Sequence, residues 1–220
     1  MNLKSFGCSF IFGTDLHDDG RNGPYATASN HTWPALLAKH QGWTYSCHAK
    51  AGSGNLLILE RLLDQLAMDQ SPAFYVVGWS WIDRFDHYDD TESAAWFKWK
   101  TIMPVDTTSL ADTYYRKLHS QYRDKLTTLI HIKTAVDLLQ QHGHKFLMTH
   151  MDDLIFESQW HCPPGIASLQ AAITPHIKKF EDQTFLDWSK EKGFEISPTM
   201  HPLETAHAAA AEYAINHFLV

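Results

Sequence analysis

The stretch AFYVVGW, residues 73–79, is an almost continuous apolar run. A run of that length without polar alternation suits a strand buried on both faces, as in a parallel sheet covered by helices. Upstream, LLILERLLDQLAM (56–68) has apolar residues at helical spacing, and Pro72 closes that segment. AGSGN (51–55) reads as a tight turn and WTYSCHA (43–49) as a strand. TWPALLAKHQG before it predicts a helix: Thr32 can cap it, Pro34 sits in its first turn and Gly42 stops it. Residues 2–8 read as the first strand, ending at Gly7, and 9–32, rich in Gly, Asp, Asn, Ser and Thr, as a long loop.

Downstream, residues 80–111 are irregular, aromatic and acidic, an excursion from the regular pattern with room for a short helix. A long helix is expected over about 112–142, with Leu118, Tyr122, Leu126, Leu129, Val136 and Leu139 close to one face. Gly143 ends it, and HKFLMTH (144–150) predicts a fourth strand. Residues 151–183 are mixed and broken by Pro163-Pro164-Gly165, and 183–193 read as a short helix or a strand-helix mixture. The closing HPLETAHAAAAEYAINHFLV predicts a helix with Pro202 in its first turn. Alternating strands and helices imply an α/β fold: a three-layer α/β/α domain over 1–220 with a mostly parallel, flavodoxin-like sheet. Ligands of such sheets bind at the carboxyl ends of the strands.

Bulk properties narrow the classes. The chain has 220 residues, 44% hydrophobic and 20% charged, which suits a globular domain with a sizeable core. Net charge is −7 and no Lys/Arg stripe occurs, so nucleic acid is not an expected partner. Cys8, Cys47 and Cys162 are odd in number and widely spaced, which argues against a disulfide framework or a structural zinc site and for a reducing cytoplasm. The opening MNLKSFGCSFIF lacks a signal-peptide core, and no run of about 18 apolar residues offers a membrane span. His17 with Asp18 and Asp19, and His150 with Asp152 and Asp153, lack the spacing of a closed metal site; no metal or other cofactor is expected.

Four features fall where the strand-end rule puts ligands: Gly7-Cys8-Ser9, Gly52 with Asn55, Gly78-Trp79-Ser80, and His201-Pro202 at the last helix. The stretches FGCSFIFG, AKAGSGNLLI, GWSWIDRFD and HPLETAH resemble the SGNH (GDSL-type) hydrolase superfamily. They are most similar to a branch frequent in phages and bacteria, which carries FGCSFT.G, A..GSSN..I, GW(S/T)...RFE and HP...GH. That resemblance implies a serine esterase or deacetylase acting on small esters or O-acetylated carbohydrate, with a phage-associated setting and association with a particle or a second copy left open. It makes Ser9 the nucleophile and His201 the general base, and gives the oxyanion hole to the Ser9 and Gly52 amides with an asparagine side chain. Arg84 stands where the branch carries arginine, and with Trp79 and Trp81 it is a candidate for substrate binding; pairing with Asp83, Asp86 or Asp15 is the alternative role for its charge.

The chain departs from that pattern twice. The third block usually reads Gly-x-Asn-Asp, whereas residues 78–81 read GWSW, leaving Asn55 or Ser80 as the third donor. The last block usually reads Asp-x-x-His-Pro, whereas residues 198–202 read PTMHP. A backbone carbonyl, Asp187 or Glu204 then remains to orient His201. The competing reading is a binding module that keeps the fold without the catalysis. It would use the aromatics Trp79, Trp81, Phe85, Tyr88, Trp96, Phe97 and Trp99 to hold glycan or protein. A different transferase or hydrolase on the same scaffold is also compatible with the fold. Locally, Ser9 reads equally as a turn serine, Cys8 as a small core residue, His207 as structural, and Asn55 as a helix cap.

Overall fold

Phe74 and Val76 face one side of their strand and Tyr75, Val77 and Trp79 the other, and all five are buried. The computed structural model describes residues 1–20 and 27–219, and of Trp96 the backbone alone. In chain order its strands are β1 (Asn2–Gly7), β2 (Thr44–Cys47), β3 (Ala73–Trp79), the hairpin pair β4 (Phe85–Tyr88) and β5 (Trp99–Ile102), and β6 (Lys145–His150). The main sheet runs β2-β1-β3-β6 and every pairing in it is parallel, with Gly7 opposite Gly78 and Trp79 opposite His150. The apolar run 73–79 is therefore an interior strand, as its lack of alternation predicted. Among the described residues no helix is long and apolar enough to cross a membrane.

Helices cover both faces. On one lie α1 (Ser9–Phe12), α2 (Trp33–His40), α8 (Phe185–Glu191) and α9 (Glu204–His217). On the other lie α3 (Asn55–Met68), α6 (Gln121–Gln141) and α7 (Pro164–Ile173). The remaining α4 (Ala95–Lys98) and α5 (Ser109–Lys117) flank the hairpin. On α9, Ala206, Ala210 and Ala214 recur every fourth residue and are fully buried, so their small side chains let the helix lie close on α2. The same helix brings His207 Nδ1 to accept the Trp33 N–H at 3.0 Å, satisfying an amide at the start of α2.

Four expectations change. The loop expected over 9–32 begins with a helical turn, α1; its residues 21–26 lie outside the described residues. The long helix expected over 112–142 is two helices, because Ser120 is extended and its hydroxyl accepts the Arg123 N–H to start α6. Leu118 and Tyr122, assigned to a buried face, are exposed at that break. The 80–111 excursion holds the β4–β5 hairpin. Pro202 lies before α9 rather than in its first turn, in an antiparallel bridge with Ile196.

Candidate functional site

The close approach of α1 to the sheet depends on two glycines. A Cβ on Gly7 would lie 2.5 Å from Ile11 Cγ1, and one on Gly78 would lie 2.6 Å from the same atom. These glycines face each other at the ends of β1 and β3, so the turn carrying Ser9 settles directly on the strand ends. Cys8 is the extended residue before α1, and its carbonyl accepts the amides of Ile11 and Phe12 at 3.1 and 3.0 Å. The Ser9 N–H, first in the turn, has no acceptor among the described residues. Cys8 itself is 1% exposed and belongs to the core.

Past α1 the chain turns through Asp15, which is in the left-handed region at φ 75°. Its carboxylate meets the segment before α9. Asp15 Oδ2 lies 2.7 Å from His201 Nδ1 and accepts the Ser197 hydroxyl at 2.6 Å and the Thr199 hydroxyl. Burial pushes the Asp15 carboxyl up, but the hydroxyls of Ser197 and Thr199 and the His201 ring outweigh it and hold the group well below the usual carboxylate range. An ionised Asp15 accepts only, so Nδ1 of His201 carries the proton and Nε2 is the basic nitrogen. The ring is also backed by Phe10, with centroids 5.1 Å apart, and Phe10 packs in turn on Trp81 and Phe185.

The partner of His201 is thus Asp15, and both carboxylates considered from the sequence are engaged elsewhere. Asp187 accepts the Thr184 hydroxyl at 2.7 Å, within the cap of its own helix. Glu204 accepts the backbone N–H of His17 at 2.8 Å and lies 2.9 Å from its ring Nδ1.

Ser9, Gly52, Trp81, Arg84, Thr199 and His201 line one open cavity of about 260 Å³, with Phe10, Thr14, Ala51, Met103 and Met200. Gly52 has φ 81°, and the space where a Cβ would stand is open. Ser9 Oγ makes no hydrogen bond to His201; the two share the cavity wall. Catalytic hydrogen bonds are often long before substrate binds. Arg84 spreads its guanidinium over the Trp81 ring at 4.8 Å and donates to the Ser53 carbonyl at 3.1 Å. Asp83 and Asp86 feel its charge, but neither closes to an ion pair with it.

Asn55, Ser80 and Trp79 do not line this cavity. The Asn55 amide is committed: Nδ2 donates to Ser80 O and to Thr128 Oγ1, both at 3.2 Å, and Oδ1 accepts the Ser80 N–H at 2.8 Å. Its task is to pin the turn after β3 to α3 and α6, which corrects its placement in an oxyanion hole. Ser80 is fully buried, and its hydroxyl has no partner among the described residues. Trp79 is a core residue whose Nε1 donates to Met148 Sδ at 3.4 Å, so it is not on the substrate side. Among the described side chains of the aromatic excursion only Trp81 reaches the cavity; Phe85 stacks on Tyr114, and Tyr88 meets Trp99 edge-on at the hairpin. The sequence offers Asp86, the second acid of GWSWIDRFD, only as an ion-pair partner of Arg84, and the structure gives it another place. It is buried and accepts the amides of Gly54 and Leu57 at 2.9 and 2.8 Å and the Thr101 hydroxyl at 2.6 Å. Burial nevertheless pushes its carboxyl up. It ties the hairpin to the start of α3.

Comparison with solved structures sets this arrangement among known folds. A member of the lipolytic protein G-D-S-L family from Veillonella parvula superposes with TM-score 0.53 at 13% identity, over 100% of this chain and 98% of that one. The chain has the GDSL fold. A psychrotrophic esterase from a Pseudoalteromonas species matches this fold with TM-score 0.54 at 10% identity, over 99% and 96% of the two chains. An acetyl xylan esterase from the rumen bacterium Butyrivibrio proteoclasticus gives 0.52 at 11% identity, over 99% of this chain and 63% of its own. No protein-family model matches the chain, and neither does any curated protein. Shared GDSL architecture at such identities concerns the fold, so function rests on the site.

Proposed function

We propose that the chain is an SGNH-type ester hydrolase with Ser9 as nucleophile, His201 as general base and Asp15 as the residue that orients it. The observation that carries this is the 2.7 Å Asp15–His201 pair, set on one open cavity with Ser9 and the Gly52 turn. In the proposed reaction, Nε2 of His201 takes the Ser9 proton as Oγ bonds to the ester carbonyl carbon. The resulting oxyanion accepts from the amides of Ser9 and Gly52. Collapse breaks the bond to the leaving alcohol, which receives the proton from the imidazolium. Water then repeats the sequence on acyl-Ser9 and returns the free serine. Asp15 stabilises the imidazolium at both stages.

The cavity, about 260 Å³, suits an acetyl-sized acyl group with the rest of the substrate outside. Trp81 offers an aromatic face, and Arg84 offers donors for an anionic or carbonyl oxygen. O-acetylated carbohydrate fits this description, and the esterase and acetyl xylan esterase with the same fold are in keeping with it. The sequence stretches FGCSFIFG, AKAGSGNLLI, GWSWIDRFD and HPLETAH support placement in the phage and bacterial branch.

One observation favours the second reading, a weak or non-catalytic binding module: the Asn55 side chain is committed away from the cavity, which reduces the donors for an oxyanion. Labelling with a fluorophosphonate probe separates the two. Wild type should be labelled, and Ser9→Ala and His201→Ala should not. A folded wild type that resists the probe would move the assignment to the binding module.

A further inference from the structure

Behind Asp15 the same loop carries a second cluster of chemistry-bearing side chains. His17, Asp18 and His31 each place one donor atom within 4.8 Å of the others. The two imidazole rings have centroids 4.4 Å apart, and Asp18 Oδ2 lies 3.9 Å from His31 Nε2. Sequence spacing hid this group, because His31 is brought in from the segment before α2.

We propose that His17, Asp18 and His31 form a binding site for a first-row divalent cation of the zinc type. Each of the three side chains is prepared for coordination in its own way. The Nδ1 of His17 lies 2.9 Å from Glu204 Oε1, so Glu204 accepts the Nδ1 proton and leaves Nε2 with its lone pair. A carboxylate behind a metal-binding histidine commonly fixes the tautomer in this manner. The Asp18 carboxylate is held by two neighbours: Oδ2 accepts the Asn30 N–H at 2.9 Å, and the Ser29 hydroxyl also hydrogen-bonds to it. His31 is half-exposed, with its Nε2 toward the Asp18 carboxylate and its ring against that of His17.

The donor set selects the metal. Two imidazoles and one carboxylate suit zinc, cobalt, nickel or copper, whereas magnesium and calcium prefer all-oxygen sites. Donors on a tetrahedral ion with bonds of about 2.0–2.1 Å stand roughly 3.4 Å apart, so the cluster has to contract by about an ångström. The His17 side chain is 64% exposed and free of core packing, and it is the group able to make that movement. Water would complete the fourth position. An ion there would fasten the loop carrying Asp15 to the approach to α2 and, through Glu204, to the first turn of α9.

The test uses the full chain, freed of metal by chelation and titrated with Co²⁺, Zn²⁺ and Mg²⁺ separately. Calorimetry and the visible Co²⁺ absorption are the readouts. One equivalent of Co²⁺ should bind, Zn²⁺ should displace it, and Mg²⁺ should give no signal. His17→Ala and His31→Ala should each weaken binding more than 10-fold, and Glu204→Gln by about 10-fold. The chain has fifteen histidines, so adventitious binding is the rival outcome. Paramagnetic broadening by Co²⁺ in the wild type gives a second readout that needs no variant: the His17 and His31 ring signals should broaden first. Failure to saturate, affinity unchanged in both histidine variants, or first broadening at other histidines would each overturn the proposal. None of these readouts involves ester hydrolysis, so the site stands or falls apart from the proposed reaction.

Discussion

Two polar networks lie at the carboxyl edge of the sheet, and they use similar side chains in opposite ways. In the first, Ser197, Thr199 and His201 Nδ1 converge on Asp15 Oδ2, and the His201 ring borders an open cavity. In the second, Asn55 binds Ser80 and Thr128, and Asp86 binds Gly54, Leu57 and Thr101, all within buried structure. Both contain a buried or nearly buried carboxylate. Asp15 is held far below the usual range by its donors, whereas burial wins at Asp86 and pushes it up. A polar residue near a strand end is thus available for chemistry only if its hydrogen-bonding capacity is not already used by the scaffold.

The sharpest way to break this comparison is Asp15→Asn. On the proposed mechanism, loss of the carboxylate should slow probe labelling and ester hydrolysis by about 10⁴-fold. A loss below 10-fold would remove Asp15 from the catalytic group. Asp86→Ala should do the reverse. It strands two buried amides and a hydroxyl, so stability in urea unfolding should fall by about 3 kcal/mol. Labelling by the folded fraction should change far less than in Asp15→Asn.

Asn55→Ala sharpens the boundary between the networks. It should cost about 2 kcal/mol of stability by leaving the Ser80 amide and the Thr128 hydroxyl without their partner. Labelling should slow by less than 10-fold, because loss of an oxyanion donor costs roughly 100- to 1,000-fold. A drop of that larger size would return Asn55 to the oxyanion hole.

The smallest effect concerns pH. Burial pushes the His207 imidazole down to about 3, and its neutral Nδ1 accepts the Trp33 N–H. The unfolded chain takes up a proton at this residue near its ordinary value of about 6.5. Between those values the unfolded state binds more protons, so stability from this residue is lost as pH falls from about 6.5 toward 3. His207→Gln should flatten that part of the stability profile, measured by urea titration at a series of pH values. An unchanged slope would show that His207 is not held neutral.

The sequence by itself determined the sheet and the edge on which the site lies. The 73–79 run has no polar alternation, and only a strand covered on both faces tolerates that. Glycines at the ends of two strands and a serine after the first put a candidate nucleophile at the strand ends, because these signals are local in the chain. Tertiary structure decided which residues serve the site. Asp15 and His201 are 186 residues apart and meet only because two loops turn at left-handed residues, Asp15 and Met200. The commitment of Asn55 to Ser80 and Thr128 follows from where α6 packs, 73 residues further on. Hydrogen-bond partners across such distances depend on how loops and helices settle against each other, and no local pattern of residues specifies that.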